Sequence, residues 1–473
     1  TASNATPKPA VPAQFRTRPD LNPPVVTVTR SRDAAATPKP GSEEYIFLAP
    51  KQYDRAGVPT SQSGPMILDR DGHVVWFSPT SDPSLEAMDF RPQRYRGKQV
   101  LTWWEGRSAD AYGRGIGVIA DSSYRRIATV RAVDGLDADL HEFLITPRNT
   151  AYITAYRRTT TDLTAVGGLA NGKILTGTVQ EIDIATGRRL FNWDSLDHVD
   201  PQESYRAATT DPGDTMDYFH INSVAEFDPD TLLISSRNTW TVYAVAKSTG
   251  RVLWRLGGKK TDFRHGPGTR FEFQHHATRL RPDRLMIFDN AATPREGPQS
   301  RALVLGVDVK ARTVRLDRAL THPAKLLANN QGSFQHLPSG DWFVGWGAEP
   351  YFSQYSAGGT LLLDGKLPDN VQSYRAFAGP WAATPTDRPL ITAGSNAARG
   401  ATVYVSWNGA THVDRWKVMA GAQPSALHRR AVVPRSGFET QVAVNSTGPY
   451  FQVAALDAGG RELGRSYVLK ATL

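Results

Sequence analysis

The sequence predicts an all-β protein, a six-bladed β-propeller followed by a small C-terminal β-sandwich. Three observations lead there. Short runs alternate apolar and polar residues without long helical periodicity, and 40 Gly and 32 Pro punctuate them. A hairpin signature returns several times along the chain. After Pro389 the signature stops and a different strand pattern takes over.

The signature approximates apolar-Asp-x-x-Thr-Gly-x-apolar-x-Trp, as in EIDIATGRRLFNW (181–193) and, with Ala246 at the Asp position, AVAKSTGRVLW (244–254). Looser copies are MILDRDGHVVW (66–76), VIADSSYRRIATV (118–130), GVDVKARTVRL (306–316) and SQYSAGGTLLL (353–363). Turn residues between alternating runs mark antiparallel hairpins. Ahead of five of these lies a second hairpin that opens on polar residues: 88–106, 140–156, 220–237, 275–290 and 330–346. Six outer and five inner hairpins fit six blades, with QSYRAFAGPW (372–381) supplying the missing inner strand beside the strands of 44–78. Pairing the two chain ends in this way removes an exposed sheet edge.

Three segments follow from this reading. Residues 1–43 form an extended Pro/Ala/Thr-rich leader in which TRPDLNPPVVTVT is the part expected to order; 44–388 form the propeller; 389–473 form a fibronectin-like sandwich with a packing role. The first residues, TASNATPKPAVPAQ, lack an initiator Met and read as the start of a processed, secreted protein.

Composition narrows the chemistry. The 473 residues contain no Cys, which excludes thiolate metal sites, thiol nucleophiles and disulfides. No run is long and apolar enough to span a membrane. The net charge of +9 is scattered, without a nucleic-acid motif, and suits an anionic substrate. A monomer is expected. No cofactor is called for, and a structural calcium at Asp228-Pro229-Asp230 or Asp69-Arg70-Asp71 is the one ion the turns leave open.

In a propeller the inner strands converge on a central channel, so the polar residues that open them are the site candidates. These are Gln93, His141, His220 with Asn222, His275 with His276, and Gln331 with Gln335. A lone histidine is usually a packed residue, but histidines at one point of three blades are hard to explain by packing. A transition metal is disfavoured, because only Asp139, Glu142 and Asp217 offer carboxylates nearby. Arg237 and Arg295 follow the strands that pair with the histidine strands, and Asn290 ends one of them. A guanidinium fork matches sulfate, phosphate or carboxylate oxygens. Tyr218 and Trp104 are the aromatic candidates for a ring-binding wall, against the ordinary reading of inter-blade packing.

DYFHINSV, ISSRNTW, the QH of EFQHHA and MIFDNAATPR resemble the bacterial arylsulfate sulfotransferase family. QRYRGKQVLTWWEG, DLHEFLITP, WRLGGK and WFVGWGAEPYFSQY resemble its actinobacterial-type branch. The resemblance covers about residues 40–385 and runs into SWNGATHVDRW and GFET. It implies a six-bladed propeller that moves sulfuryl groups between phenols through a sulfohistidine, in a ping-pong cycle without a nucleotide donor. On that pattern His220 and His275 match active-site histidines, Asn222 lies in the first motif, and Arg295 matches a sulfate-clasping arginine. The relatives' nucleophilic histidine falls near NNQGSFQHLP, where this chain has Gln331 and Gln335 on one strand face and His336 on the other.

Three functions stay open at this point. The first is sulfuryl transfer on a small anionic aromatic substrate. The second is a polysaccharide lyase using the same His/Arg/Tyr group on a uronate-containing anionic glycan. The third is a binding propeller without turnover.

Overall fold

The two clearest repeated hairpins close on Thr–Gly turns of one geometry. Asp183 accepts the Thr186 N–H and hydroxyl through Oδ1 at 2.8 and 2.9 Å. The next residue, Gly187, then adopts φ 71° and donates its N–H to the Asp183 carbonyl at 2.8 Å. Gly250 repeats this with φ 71° and a 2.8 Å bond to the Ala246 carbonyl. A side chain at either glycine would meet the left-handed steric penalty.

The computed structural model describes residues 14–31, 44–52, 61–109, 112–292, 295–396 and 400–471. It is an all-β protein built from several sheets. Sheet 1 joins Glu44–Gln52, Met66–Leu68 and Val74–Phe77 to Val371–Pro380, so strands far apart in sequence pair antiparallel. Sheet 2 holds Glu86–Tyr95, Lys98–Ala109, Tyr112–Ala120 and Arg126–Val130. Sheet 3 holds Phe143–Ile145, Thr150–Thr161, Gly172–Asp183 and Arg189–Asp194, with Thr215–Asp217 added parallel to Gly172–Asp183. Sheet 4 is Ile221–Asp228, Thr231–Ser236, Thr241–Ala246 and Val252–Gly257. Sheet 5 is His275–Arg281, Arg284–Asp289, Arg301–Asp308 and Thr313–Leu320, edged by Arg264–His265. Sheet 6 is Ser333–His336, Trp342–Gly345, Tyr351–Tyr355 and Leu361–Lys366.

The sheets pack in chain order. Glu86–Tyr95 contacts Phe143–Ile145, Thr150–Thr161 contacts Ile221–Asp228, and Ile221–Asp228 contacts His275–Arg281. Arg284–Asp289 then meets Ser333–His336, Trp342–Gly345 meets Val371–Pro380, and Val371–Pro380 returns to Glu86–Tyr95. Apolar faces fill each junction. Between sheets 4 and 5, Leu233, Val242 and Trp254 pack on Leu285, Ile287 and Leu303. Each such side chain contributes roughly 1.5–3 kcal/mol by leaving water.

Half-buried amides clamp neighbouring sheets. Gln93 donates to the Phe143 carbonyl and accepts the Ile145 N–H, both at 2.8 Å. Gln335 donates to the Ala378 carbonyl and accepts the Ala378 N–H, both at 2.9 Å. These two glutamines therefore work as inter-sheet struts. Gln93 lies near the end of Glu86–Tyr95 and Gln335 inside Ser333–His336, so neither opens its strand as the sequence suggests.

Parts of the expected leader, 1–13 and 32–43, lie outside the described residues. Within it, Thr27–Arg30 pairs antiparallel with Leu361–Lys366 as an added edge of sheet 6. The Arg16 and Thr17 N–H groups donate to the Glu439 carboxylate at 3.1 and 2.6 Å. The C-terminal strands form two sheets: Leu390–Ser395, Ala401–Ser406 and Glu439–Val444; and Arg415–Gly421 with His428–Pro434, Tyr450–Leu456, Glu462–Arg465 and Leu469–Lys470. They share a core of Val403, Val405, Trp416, Val418, Val442 and Phe451. Asn408 docks this unit on sheet 1 through both Phe77 backbone groups, at 3.0 and 2.9 Å. Among the described residues no helix is long and apolar enough to cross a membrane.

Candidate active site

Two histidine–aspartate pairs form where the openings of sheets 3 and 4 meet. Asp139 and His141 lie in the loop before Phe143–Ile145. The His141 N–H and Nδ1 both meet Asp139 Oδ2, at 3.0 and 2.5 Å. Asp217 ends the parallel edge strand of sheet 3, and His220 precedes the first strand of sheet 4 with φ 52°. That left-handed backbone turns the ring back so that Nδ1 meets Asp217 Oδ2 at 2.5 Å. A non-glycine residue held at positive φ is strained, and such strain clusters at functional sites.

Both pairs put Nδ1–H on a carboxylate, which fixes the tautomer and leaves each Nε2 with its lone pair. The two rings meet edge-on, with centroids 5.0 Å apart and an 84° interplanar angle. Burial, then the charge of Arg237, push the His220 imidazole down to about 4 against the pull of Asp217. At neutral pH it is therefore uncharged. Burial alone would raise the Asp139 carboxyl, but His141 and the N–H groups of Gly113 and His141 hold it below the ordinary range.

His141, His220 and His275 share one cavity of about 280 Å³ with Lys51, Arg237, Gln331 and Tyr374. Arg237 is buried, 9% exposed, and among the described residues makes no ion pair; only its Nε is tied, to Asn238 Oδ1 at 3.2 Å. Lys51 lies 3.7 Å from Glu86. Two cations thus line a cavity together with imidazole and phenol groups. Tyr156 closes the wall behind the histidine pairs, its ring 6.0 and 6.1 Å from His141 and His220.

His275 is differently placed. Its Nδ1 meets Asn290 Oδ1 at 2.7 Å, and its Nε2 accepts the Gln331 N–H at 3.2 Å. Both nitrogens are thereby committed, and burial holds the ring well below its usual range. Asn290 in turn donates to the Ala328 and Gln331 carbonyls, both at 3.0 Å, so it orients His275 and does not face the cavity. Gln331, with φ 65°, precedes the strand Ser333–His336. It turns into the cavity while Gln335 faces the next sheet, so the two are not on one strand face.

The other sequence candidates lie outside the cavity. His276 accepts the Phe334 N–H on Nδ1 at 3.1 Å and ties sheet 5 to sheet 6. Asn222 donates to the Gln274 carbonyl at 2.6 Å and accepts Arg375 on its own carbonyl at 3.0 Å. Tyr218 is fully buried and donates to the Val199 carbonyl at 3.3 Å. Trp104 is buried with its Nε1 on the Ala138 carbonyl at 2.8 Å. Both rings are packing, since no face of either is left for a substrate. Arg295 is exposed and folds onto its own loop, bonding the Gly297 and Pro298 carbonyls at 3.0 and 3.1 Å. His336 is exposed against Trp342, as period-2 alternation implies.

Sequence reasoning did not assign Lys51, Tyr156 and Tyr374 to the site. Lys51 and Tyr374 lie 323 positions apart, on strands that meet only in sheet 1. Asp139 and Asp217 stood two and three residues before their histidines, a spacing that would have signalled the pairs.

Beside the cavity lies a buried charge cluster. Arg375 reaches Asp89 at 2.8 Å and Glu142 at 3.1 Å, and Arg91 pairs with both carboxylates. Burial would raise the Glu142 carboxyl most, but Arg375 and Arg91 hold it below its ordinary range. Through Arg375 and the Asn222 carbonyl the cluster ties sheets 1, 2 and 4 to the loop that carries His141.

Comparison with known proteins bears on this site. Three solved structures resemble the chain at low superposition. A protein of unknown function from Bacteroides caccae has 10% identity and a TM-score of 0.41, over 72% of this chain and 99% of its own. The extracellular domain of a putative hybrid two component system from B. thetaiotaomicron has 9% identity and a TM-score of 0.37, over 93% and 56%. The β-propeller domain of Cps50 from Myceliophteria thermophila has 11% identity and a TM-score of 0.30, over 68% and 99%. No functional conclusion follows from them. No curated protein matches the sequence. The family model described as arylsulfotransferase (ASST) does match, over residues 91–367, a span that carries both histidine–aspartate pairs and Arg237. That span is more than half of the chain, and the protein belongs to the arylsulfotransferase family.

Proposed function

We propose that the six sheets are the blades of a six-bladed β-propeller, with residues 390–470 as a small sandwich. We further propose that the shared cavity moves a sulfuryl group from an aryl sulfate to a phenol through a histidine. The return of the packing order from Val371–Pro380 to Glu86–Tyr95 supports the first reading. Family membership and the two facing histidine–aspartate pairs support the second.

His220 is the nucleophile. Its Nε2 lone pair attacks sulfur while the sulfur–oxygen bond to the aryl group breaks, and that electron pair leaves with the phenolate oxygen. The ring then carries the sulfuryl group on Nε2 and the proton on Nδ1, with Asp217 as counter-charge. His141, once its Nε2 lone pair has taken up a proton with Asp139 as counter-charge, gives that proton to the leaving oxygen. In the second half the acceptor hydroxyl returns a proton to His141 as its oxygen attacks sulfur and the nitrogen–sulfur bond breaks. Protons and charges balance over the cycle, and no nucleotide enters it. Arg237 and Lys51 hold the sulfuryl oxygens as charge shifts onto them. His275 has no free nitrogen for nucleophilic attack and serves as a buttress.

The single observation that carries this reading is the edge-on meeting of His141 and His220, each with its own carboxylate. The test is release of nitrophenol from 4-nitrophenyl sulfate with phenol as acceptor. Acceptor-dependent release that is lost in His220→Ala and His141→Ala supports the proposal. Acceptor-independent release, or full activity in His220→Ala, overturns it. A lyase using His220, Arg237 and Tyr374 would instead produce an unsaturated uronate from an anionic glycan.

A further inference from the structure

A second cavity of about 310 Å³ adjoins the first, and Arg237 lines both. Its far side is built from the segment 206–216 and from the edge of sheet 3 near Gly172. Leu163, Leu169 and Met216 give it an apolar side. Lys173, Arg206 and Arg237 give it cations. Three carboxylates, Asp211, Asp214 and Asp217, match those cations in formal charge, but each is already turned to a local donor. Asp211 accepts the Gly213 N–H at 2.7 Å, Asp214 accepts the Thr209 hydroxyl at 3.0 Å, and Asp217 holds His220.

The cations are not so committed. Among the described residues neither the Lys173 amine nor the Arg206 guanidinium makes an ion pair or hydrogen bond. Arg206 is close enough for its charge to act on Arg237. Arg206 and Arg237, like charges near each other, line one cavity with Lys173 and an apolar wall, a setting for an anion attached to a hydrophobic body. The position matters as much as the chemistry. A ring leaving the sulfur held between His220 and Arg237 has this cavity as its neighbour across the shared wall.

We propose that this second cavity is the subsite for the aromatic part of the substrate, and that Lys173 and Arg206 select rings carrying a second anionic group away from the reacting oxygen. The ring lies on Leu163, Leu169 and Met216, and its carboxylate or similar anion meets the two cations. This assignment rests on the sulfuryl-transfer reading for its choice of ligand. In a ping-pong cycle the leaving and the accepting phenol use the subsite in turn, so one preference governs both.

The test compares phenol with 4-hydroxyphenylacetate as acceptors for 4-nitrophenyl sulfate, in wild type and in the Lys173→Ala/Arg206→Ala double variant. Both substituted residues are exposed, so the variant is expected to fold. Wild type should favour the carboxylated acceptor in kcat/KM by about tenfold, and the variant should bring that ratio near one. An unchanged ratio in the variant, or a wild-type preference for phenol, overturns the proposal. If 4-nitrophenyl sulfate is not turned over at all, the reaction reading fails separately. Calorimetric titration with the same two phenols then decides the subsite. Tighter binding of 4-hydroxyphenylacetate that is lost in the variant supports it, and equal or absent binding overturns it.

Discussion

The rings of His141 and His220 meet edge-on at 5.0 Å, although 79 positions separate the two residues and they open different sheets. Each ring is pinned at Nδ1 by a carboxylate of its own. The arrangement gives one cavity two histidines with matched tautomers, and a reaction in two halves uses both.

Asp217→Asn should separate positioning from presence. The amide presents either a donor or an acceptor to Nδ1 and permits the wrong tautomer, so turnover should fall by about 10²–10⁴ with the fold intact. Nitrophenol release at saturating donor, beside a circular dichroism spectrum, checks this. A loss below threefold would remove Asp217 from the mechanism.

His220 should titrate near 4, because burial and the Arg237 charge disfavour its protonated form. An ordinary histidine in the unfolded chain titrates near 6.5, so the unfolded state binds the proton first as pH falls. Stability attributable to this group is complete above about 6.5 and is lost as pH falls through the folded value near 4. NMR titration of the imidazole should show the low value, and Arg237→Gln should raise it. A wild-type value of 6 or above would contradict the burial argument.

Arg237→Ala should cut kcat/KM by about 10²–10³, the usual loss when one donor to a developing anion is removed. Arg295→Ala should leave kcat/KM within about twofold, since Arg295 is exposed and bonds only its own loop. Paired kinetics of the two variants decide which arginine serves the reaction. The opposite pattern would mean that the Arg295 loop closes over the cavity during turnover.

Arg375→Met should destabilise the protein by about 3–5 kcal/mol, because it strands Asp89 and Glu142 without a cation they now share. Urea unfolding measures the change. A loss under 1 kcal/mol would show that Arg91 alone neutralises both carboxylates.

Local chemistry determined much of this protein from sequence alone. Alternation, Asp–Thr–Gly turns and their recurrence specify strands and hairpins because they act over a few residues, and the all-β class follows from them. Motifs such as DYFHINSV carried the family for the same reason, as did the three histidines that the structure brings into one cavity. Tertiary structure decided which polar residues face that cavity and which hold sheets together. Gln93, Gln335 and His276 lie on inner strands as a site residue would, yet each satisfies the backbone of a neighbouring sheet. Lys51 and Tyr374 carry no local signal, because their neighbourhood exists only once Glu44–Gln52 and Val371–Pro380 pair in sheet 1. The positive φ of His220 and Gln331 aims each residue across a strand boundary, and period-2 reasoning cannot see past that turn. Side-chain direction at such a turn depends on the backbone that the packed sheets impose, and that is a property of the folded molecule.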